Sequence, residues 1–147
     1  MKKQAYTMIA MIVLVGSMAM AAKAQTGRIQ LIANIPFEFS IGNKSLPAGE
    51  YTVRSISDDS RNVVLRIQSL DGKNSAILLA GTVEGKAQER AKLVFHRYAN
   101  QYFFAQAWVD AQKTGLEAPK SRAERAAEHE LTAIKMATES VTVTARR

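Results

Sequence analysis

The chain contains no cysteine. That excludes every disulfide scaffold, lipid attachment through an N-terminal cysteine, and thiolate metal sites. Histidine is nearly as scarce. His96 and His129 are the only two. Neither has a second histidine three or four residues away, so the usual zinc ligand sets are not expected. No glycine-rich phosphate cradle and no serine framed as a nucleophile elbow occurs. There is no internal repeat and no low-complexity tract. Asp58 and Asp59 are adjacent, which suits turn chemistry rather than a carboxylate pair facing across a cleft. Asp71-Gly72-Lys73-Asn74 lacks the alternating oxygen ligands and closing glutamate of a calcium loop. No catalytic residue, cofactor or metal is expected from these patterns, and the chain reads as a non-enzyme.

What is present begins at the N-terminus. Lys2 and Lys3 precede an uncharged apolar run from Met8 to Ala22. Ala22 and Ala24 then place small residues where a signal peptidase reads, with Gln25 next. This is the three-part pattern of a secretory leader over residues 1–24. The run stops at Lys23, short of the roughly 20 apolar residues of a spanning helix. The expectation is export to the periplasm or the medium, with no membrane span after cleavage. Residues 25–147 would then form one domain of 123 residues, large enough for a real core. The formal charge of +7 falls to +4 when Lys2, Lys3 and Lys23 leave. The basic residues are scattered, so nucleic-acid binding is not expected. Envelope polysaccharide, lipid or another envelope protein are the partner classes that suit an exported basic chain.

The rest of the chain reads as strands. From Ile29 to Ile41 apolar residues alternate with polar ones, the mark of a half-buried strand, and Pro36 bends it or places it on an edge. Pro47-Ala48-Gly49 launches a second strand over residues 50–54. A third runs from Val63 to Leu70 and turns at Asp71-Gly72, where glycine accepts positive φ. The fourth, Ser75 to Val83, is apolar on both phases at its centre, which predicts cover on both faces. A fifth and sixth strand over 92–98 and 102–109 flank Ala99-Asn100. Asp110 to Lys120 reads as a connection broken by Gly115 and Pro119. Ser121-Arg122-Ala123-Glu124 matches a capping box. The helix it starts runs to about Ala137, with Ala123, Ala127, Leu131 and Ile134 as its apolar stripe. Residues 140–147 are a short strand or a tail. The pattern predicts a mainly β domain, an antiparallel meander closed as a small barrel or sandwich, with one C-terminal helix. The element order is also that of lipocalin-like barrels.

Of the nine aromatic residues beyond the leader, six lie in one hairpin: Phe95, Tyr98, Tyr102, Phe103, Phe104 and Trp108. In its second strand Tyr102, Phe104 and Trp108 share one phase, while Phe103, Ala105, Ala107 and Val109 share the other. Both faces are apolar, so each needs a cover. The helix or a second layer could supply it, since large aromatics dominate cores. The other reading is a ligand surface built from Tyr98, Tyr102, Phe104 and Trp108 with Arg97, suited to a sugar ring, a lipid or a protein groove.

The stretch Ile35-Pro36-Phe37-Glu38-Phe39-Ser40-Ile41-Gly42-Asn43-Lys44-Ser45-Leu46-Pro47-Ala48-Gly49-Glu50-Tyr51-Thr52-Val53 resembles the opening of a family of small exported β-rich proteins from soil bacteria. Leu93 to Tyr98 and Pro119 to Arg125 resemble later segments of the same family. The resemblance spans about residues 35 to 125 and implies a fold and export. It carries over no catalytic residue, cofactor or substrate. The Leu46 to Val53 piece also resembles a motif of immunoglobulin-like and transthyretin-like sandwiches. The expected role is an exported binding or envelope-associated β domain. The alternatives are a small hydrophobic-ligand carrier using a barrel interior, and an assembly protein pairing through a strand edge such as Ile29 to Ile41.

Overall fold

The computed structural model describes residues 29–57, 63–134 and 136–147. The leader and its cleavage residues Ala22, Ala24 and Gln25 lie outside them, as does the Asp58-Asp59 pair. In chain order the strands are β1 (Gln30–Ile35), β2 (Phe39–Ile41), β3 (Lys44–Leu46), β4 (Gly49–Ser55), β5 (Val63–Ser69), β6 (Ser75–Glu84), β7 (Lys92–Tyr98), β8 (Gln101–Trp108), β9 (Thr114–Glu117) and β10 (Glu139–Arg146). The helix α1 (Arg122–Ala133) precedes β10. Among the described residues no helix is long and apolar enough to cross a membrane.

Eight strands close into an antiparallel barrel, in the order β8-β7-β10-β1-β4-β5-β6-β9, with β9 pairing back onto β8. Closure rests on the pairs Gln106↔Glu117 and Ala107↔Leu116. The fold is therefore the barrel and not the sandwich. β1 pairs with β4 on one side and β10 on the other. The expected free edge at Ile29 to Ile41 is thus a central strand, because the late strand β10 returns to cover it.

The period-two run survives in detail. Leu31, Ala33, Ile35, Phe39 and Ile41 are all buried. Pro36 does bend it, which splits the run into β1 and β2. β2 and β3 form a short hairpin turning at Gly42, whose φ of 58° suits glycine. β9 is too short to cover the lower half of β6, and this hairpin lies there instead. Ser40 bridges to Phe103 in a parallel contact, and Lys44 Nζ donates to the Ser75 carbonyl at 2.7 Å. Phe39, Ile41 and Leu46 enter the core from it.

The interior is filled with side chains. Leu31, Ile35, Phe39, Tyr51, Leu65 and Phe95 belong to one contiguous buried cluster. Phe95 sits among Phe37, Phe39 and Phe104 in edge-to-face contacts with centroids 5.2, 5.4 and 5.8 Å away. Each such pair adds about 0.5–1.5 kcal/mol beyond its area burial. The Tyr51 hydroxyl donates to the Pro47 carbonyl at 2.7 Å, so its polar end is satisfied.

Three further expectations change. Residues 114–117 form a strand and not a connection, since Gly115 serves packing there. β6 is covered on one face only. Ala76 and Ala80 point inward and are buried, while Ile77 and Leu79 point outward and are 59% and 58% exposed. The helix ends at Ala133, and its buried residues are Glu124, Ala127 and Leu131. Ala123 and Ile134 face solvent, because the inward face opens on Glu124.

Candidate functional site

The aromatic hairpin β7–β8 is covered on both faces, and a β-bulge decides what goes where. Val94 pairs with Gln106, but Phe95 pairs with Phe104, which leaves Ala105 as an extra residue. A bulge inserts one residue and shifts the phase beyond it. Tyr102 and Phe104 therefore point into the barrel, whereas Trp108, two positions further along the same alternation, points out. Phe104 is buried at 3% exposure in the core.

Trp108 is also buried, yet on the outer wall. Its indole lies across the bare backbone of Gly115 and Gly85. The ring Nε1–H donates to Gln106 Oε1, and Gln106 Nε2 donates to Glu117 Oε1, both at 2.9 Å. Trp108 thus ties β8 to β9 at the seam that closes the barrel.

Tyr98 and Phe103 face the opposite way from Phe95 and form a second buried cluster with Ala127 and Leu131 of α1. Next to it lies a group that the sequence pattern does not announce. Glu124 is 3% exposed. One of its oxygens, Oε1, accepts from the Tyr98 hydroxyl at 3.2 Å and lies 2.7 Å from His96 Nδ1. The Ser121 half of the capping box is present, since Ser121 Oγ accepts the Glu124 N–H at 3.1 Å. The returning half is not: the Glu124 carboxylate turns to the sheet, where burial makes two strong partners worth more than one more exposed amide. Burial raises the Tyr98 hydroxyl above the usual tyrosine range, and the Glu124 charge adds to this. The neighbouring Lys120–Glu128 ion pair, at 2.6 Å, lies at the surface. In hydrolytic sites a carboxylate orients an imidazole toward a nucleophile. Here the third member meets the carboxylate, and among the described residues no hydroxyl is bonded to the imidazole. The arrangement fastens a helix to a sheet.

Two of the five expected ligand residues stay at the surface. The Arg97 side chain is 40% exposed. Its Nε donates to the Ala99 carbonyl at 2.9 Å, and one terminal nitrogen pairs with Glu139 at 3.2 Å. Its guanidinium lies 5.7 Å from the centre of the Tyr102 ring, which is half-buried. Phe37 stacks on that ring at 4.0 Å with 14° between planes. Beside Arg97 a cleft of about 220 Å³ is lined also by Ala99, Asn100, Met136 and Glu139. Tyr98, Phe104 and Trp108 are structural in this arrangement, and Arg97 and Tyr102 form a rim. The exposed Met136 and the half-buried Phe37 belong to the same end of the barrel. Nothing in the linear sequence joins them to the hairpin. Among the described residues no three histidine, aspartate or glutamate side chains stand close enough to hold a metal ion. Comparison of the chain with family models, with curated proteins and with solved structures finds no match.

Proposed function

We propose that this chain is an exported, non-catalytic binding domain that takes its ligand at the rim formed by Arg97, Tyr102 and Phe37. The observation that carries the reading is the contrast between a filled interior and a partly open aromatic–cationic stack at one end. A carrier needs space inside its barrel. Here Phe39, Tyr51 and Phe95 occupy the interior, which favours an external site over that alternative. A stacked ring with a guanidinium beside it suits the face of a sugar ring or another flat polar group. The three-part leader pattern over residues 1–24 supports export.

Purification from the native envelope, with mass spectrometry of the intact chain and of what copurifies, tests both parts. A chain starting at Gln25 and carrying a ligand is expected. The double variant R97A/Y102A is expected to lose that ligand, and R97A alone to weaken it while melting near the unaltered chain. A mass that retains Met1 overturns the export reading, and undiminished ligand on the double variant overturns the rim.

A further inference from the structure

Among the described residues nothing covers the wall opposite the helix. α1 packs on β7, and β5 lies four strands away from β7 in either direction round the barrel. On this wall the register sets Arg54 opposite Arg66, Arg66 opposite Ile77, and Val64 opposite Leu79. Ile56 adjoins Val64, to whose carbonyl its N–H donates at 2.8 Å. Ile56, Ile77 and Leu79 are all exposed. A single exposed isoleucine needs no explanation. Three beside two cations do.

The arginine pair is the more telling half. Like charges directly opposite each other on neighbouring strands repel. Among the described residues neither guanidinium has a carboxylate within ion-pair distance. Three acidic residues near the wall are engaged elsewhere: Glu50 with Arg146 at 2.7 Å, Glu117 with Gln106 at 2.9 Å, and Asp71 with Ser69 and the Lys73 N–H; Asp58 and Asp59 lie outside the described residues. Between the two arginines a cleft of about 360 Å³ is lined by Ile29, Ser55 and Ile56. Among the described residues the wall therefore offers apolar side chains around a positive centre with no ion-pair partner.

We infer that the β4–β5–β6 wall docks on the surface of an anionic phospholipid bilayer. Ile56, Ile77 and Leu79 enter the headgroup layer, and Arg54 and Arg66 pair with lipid phosphates. The guanidinium fork matches phosphate oxygens, apolar burial at the interface supplies the other part, and the charge rule supplies the choice of lipid. Docked this way, the barrel holds α1 on the far side from the membrane. The inference uses residues distinct from Arg97, Tyr102 and Phe37, and stands whether or not the rim takes a ligand.

Cosedimentation with vesicles of the protein as purified from the envelope tests it. Vesicles of phosphatidylglycerol with phosphatidylcholine are expected to bind the chain, and pure phosphatidylcholine vesicles to bind it weakly, with the difference shrinking in high salt. R54Q/R66Q is expected to lower partitioning onto the anionic vesicles about 30-fold, and I77S/L79S about tenfold. R54K/R66K is expected to keep most of the binding, since either cation serves the surface charge. Thermal melts monitor the fold; should I77S/L79S melt early, the arginine variants carry the test. Equal binding to neutral vesicles, or binding untouched by both double variants, overturns the inference. So does a dimer in solution that both variants break, with no vesicle binding.

Discussion

The indole of Trp108 lies against the backbone of Gly115 at a distance that leaves no room for a side chain: a methyl group at residue 115 would stand 2.7 Å from Trp108 Cδ2. Gly115→Ala therefore forces the indole off the barrel seam. The expected loss is about 1–3 kcal/mol, the usual range for overpacking. Trp108→Ala is expected to cost about 3–5 kcal/mol. The two are not independent, and Gly115→Ala costs much less once Trp108 is alanine. Urea unfolding of the two single variants and the double variant measures this coupling. Additive losses would separate Gly115 from Trp108.

Glu124 holds the helix to the sheet. Glu124→Ala leaves the buried Tyr98 hydroxyl and the His96 imidazole without their acceptor, at a cost of about 1–3 kcal/mol. Glu124→Gln keeps an acceptor oxygen and loses less. Hydrogen exchange resolves the effect: amides of Arg122–Ala133 lose protection in Glu124→Ala, while those of β4 and β5 change little. Ser121→Ala removes the cap alone and costs about 1 kcal/mol.

Alkaline conditions weaken the fold through two tyrosines. Burial raises both Tyr98 and Tyr51, with Glu124 adding to the first and Asp71 to the second. In each case the folded state holds the proton more tightly than the unfolded chain, whose tyrosines titrate near pH 10. Their contribution is complete below that pH and is lost as pH rises through it toward the raised folded values. The urea midpoint falls across this window. Tyr98→Phe flattens the fall by removing one of the two groups.

The β2–β3 hairpin is part of the core and not an appendage. Phe39→Ala is expected to cost about 3–5 kcal/mol, as for other buried aromatics. Lys44→Ala removes only an exposed contact and shifts the urea midpoint little, within about 0.5 kcal/mol.

Strand periodicity was plain in the chain wherever side chains alternate without interruption. Leu31 to Ile41 shows this, and so do Leu65 and Ile67 beside Arg66. The turn at Asp71-Gly72 was equally plain, and Gly72 takes a φ of 74° there. The aromatic hairpin was visible as a concentration but not as an arrangement. Ala105 carries no mark that it is the unpaired residue of a bulge, and that one residue sends Phe104 and Trp108 to opposite sides of the wall. Gly115 looked like a breaker because its packing partner, Trp108, is on another strand. Glu124 fitted a local capping pattern so well that its long-range partners, His96 and Tyr98, were hidden behind it. At Ile77 and Leu79 apolar character suggests cover, whereas the register turns both outward beside Arg54 and Arg66.

β10 runs between β1 and β7, pairing Ile32 with Arg146 and Arg97 with Glu139. It is the last of the ten strands to be synthesised, and the first strand waits for it. Until residues 139–146 have left the ribosome, β1 has an open edge and the ring has a gap one strand wide. Closure of this barrel therefore needs its last strand, whereas β1 meets β4 without it.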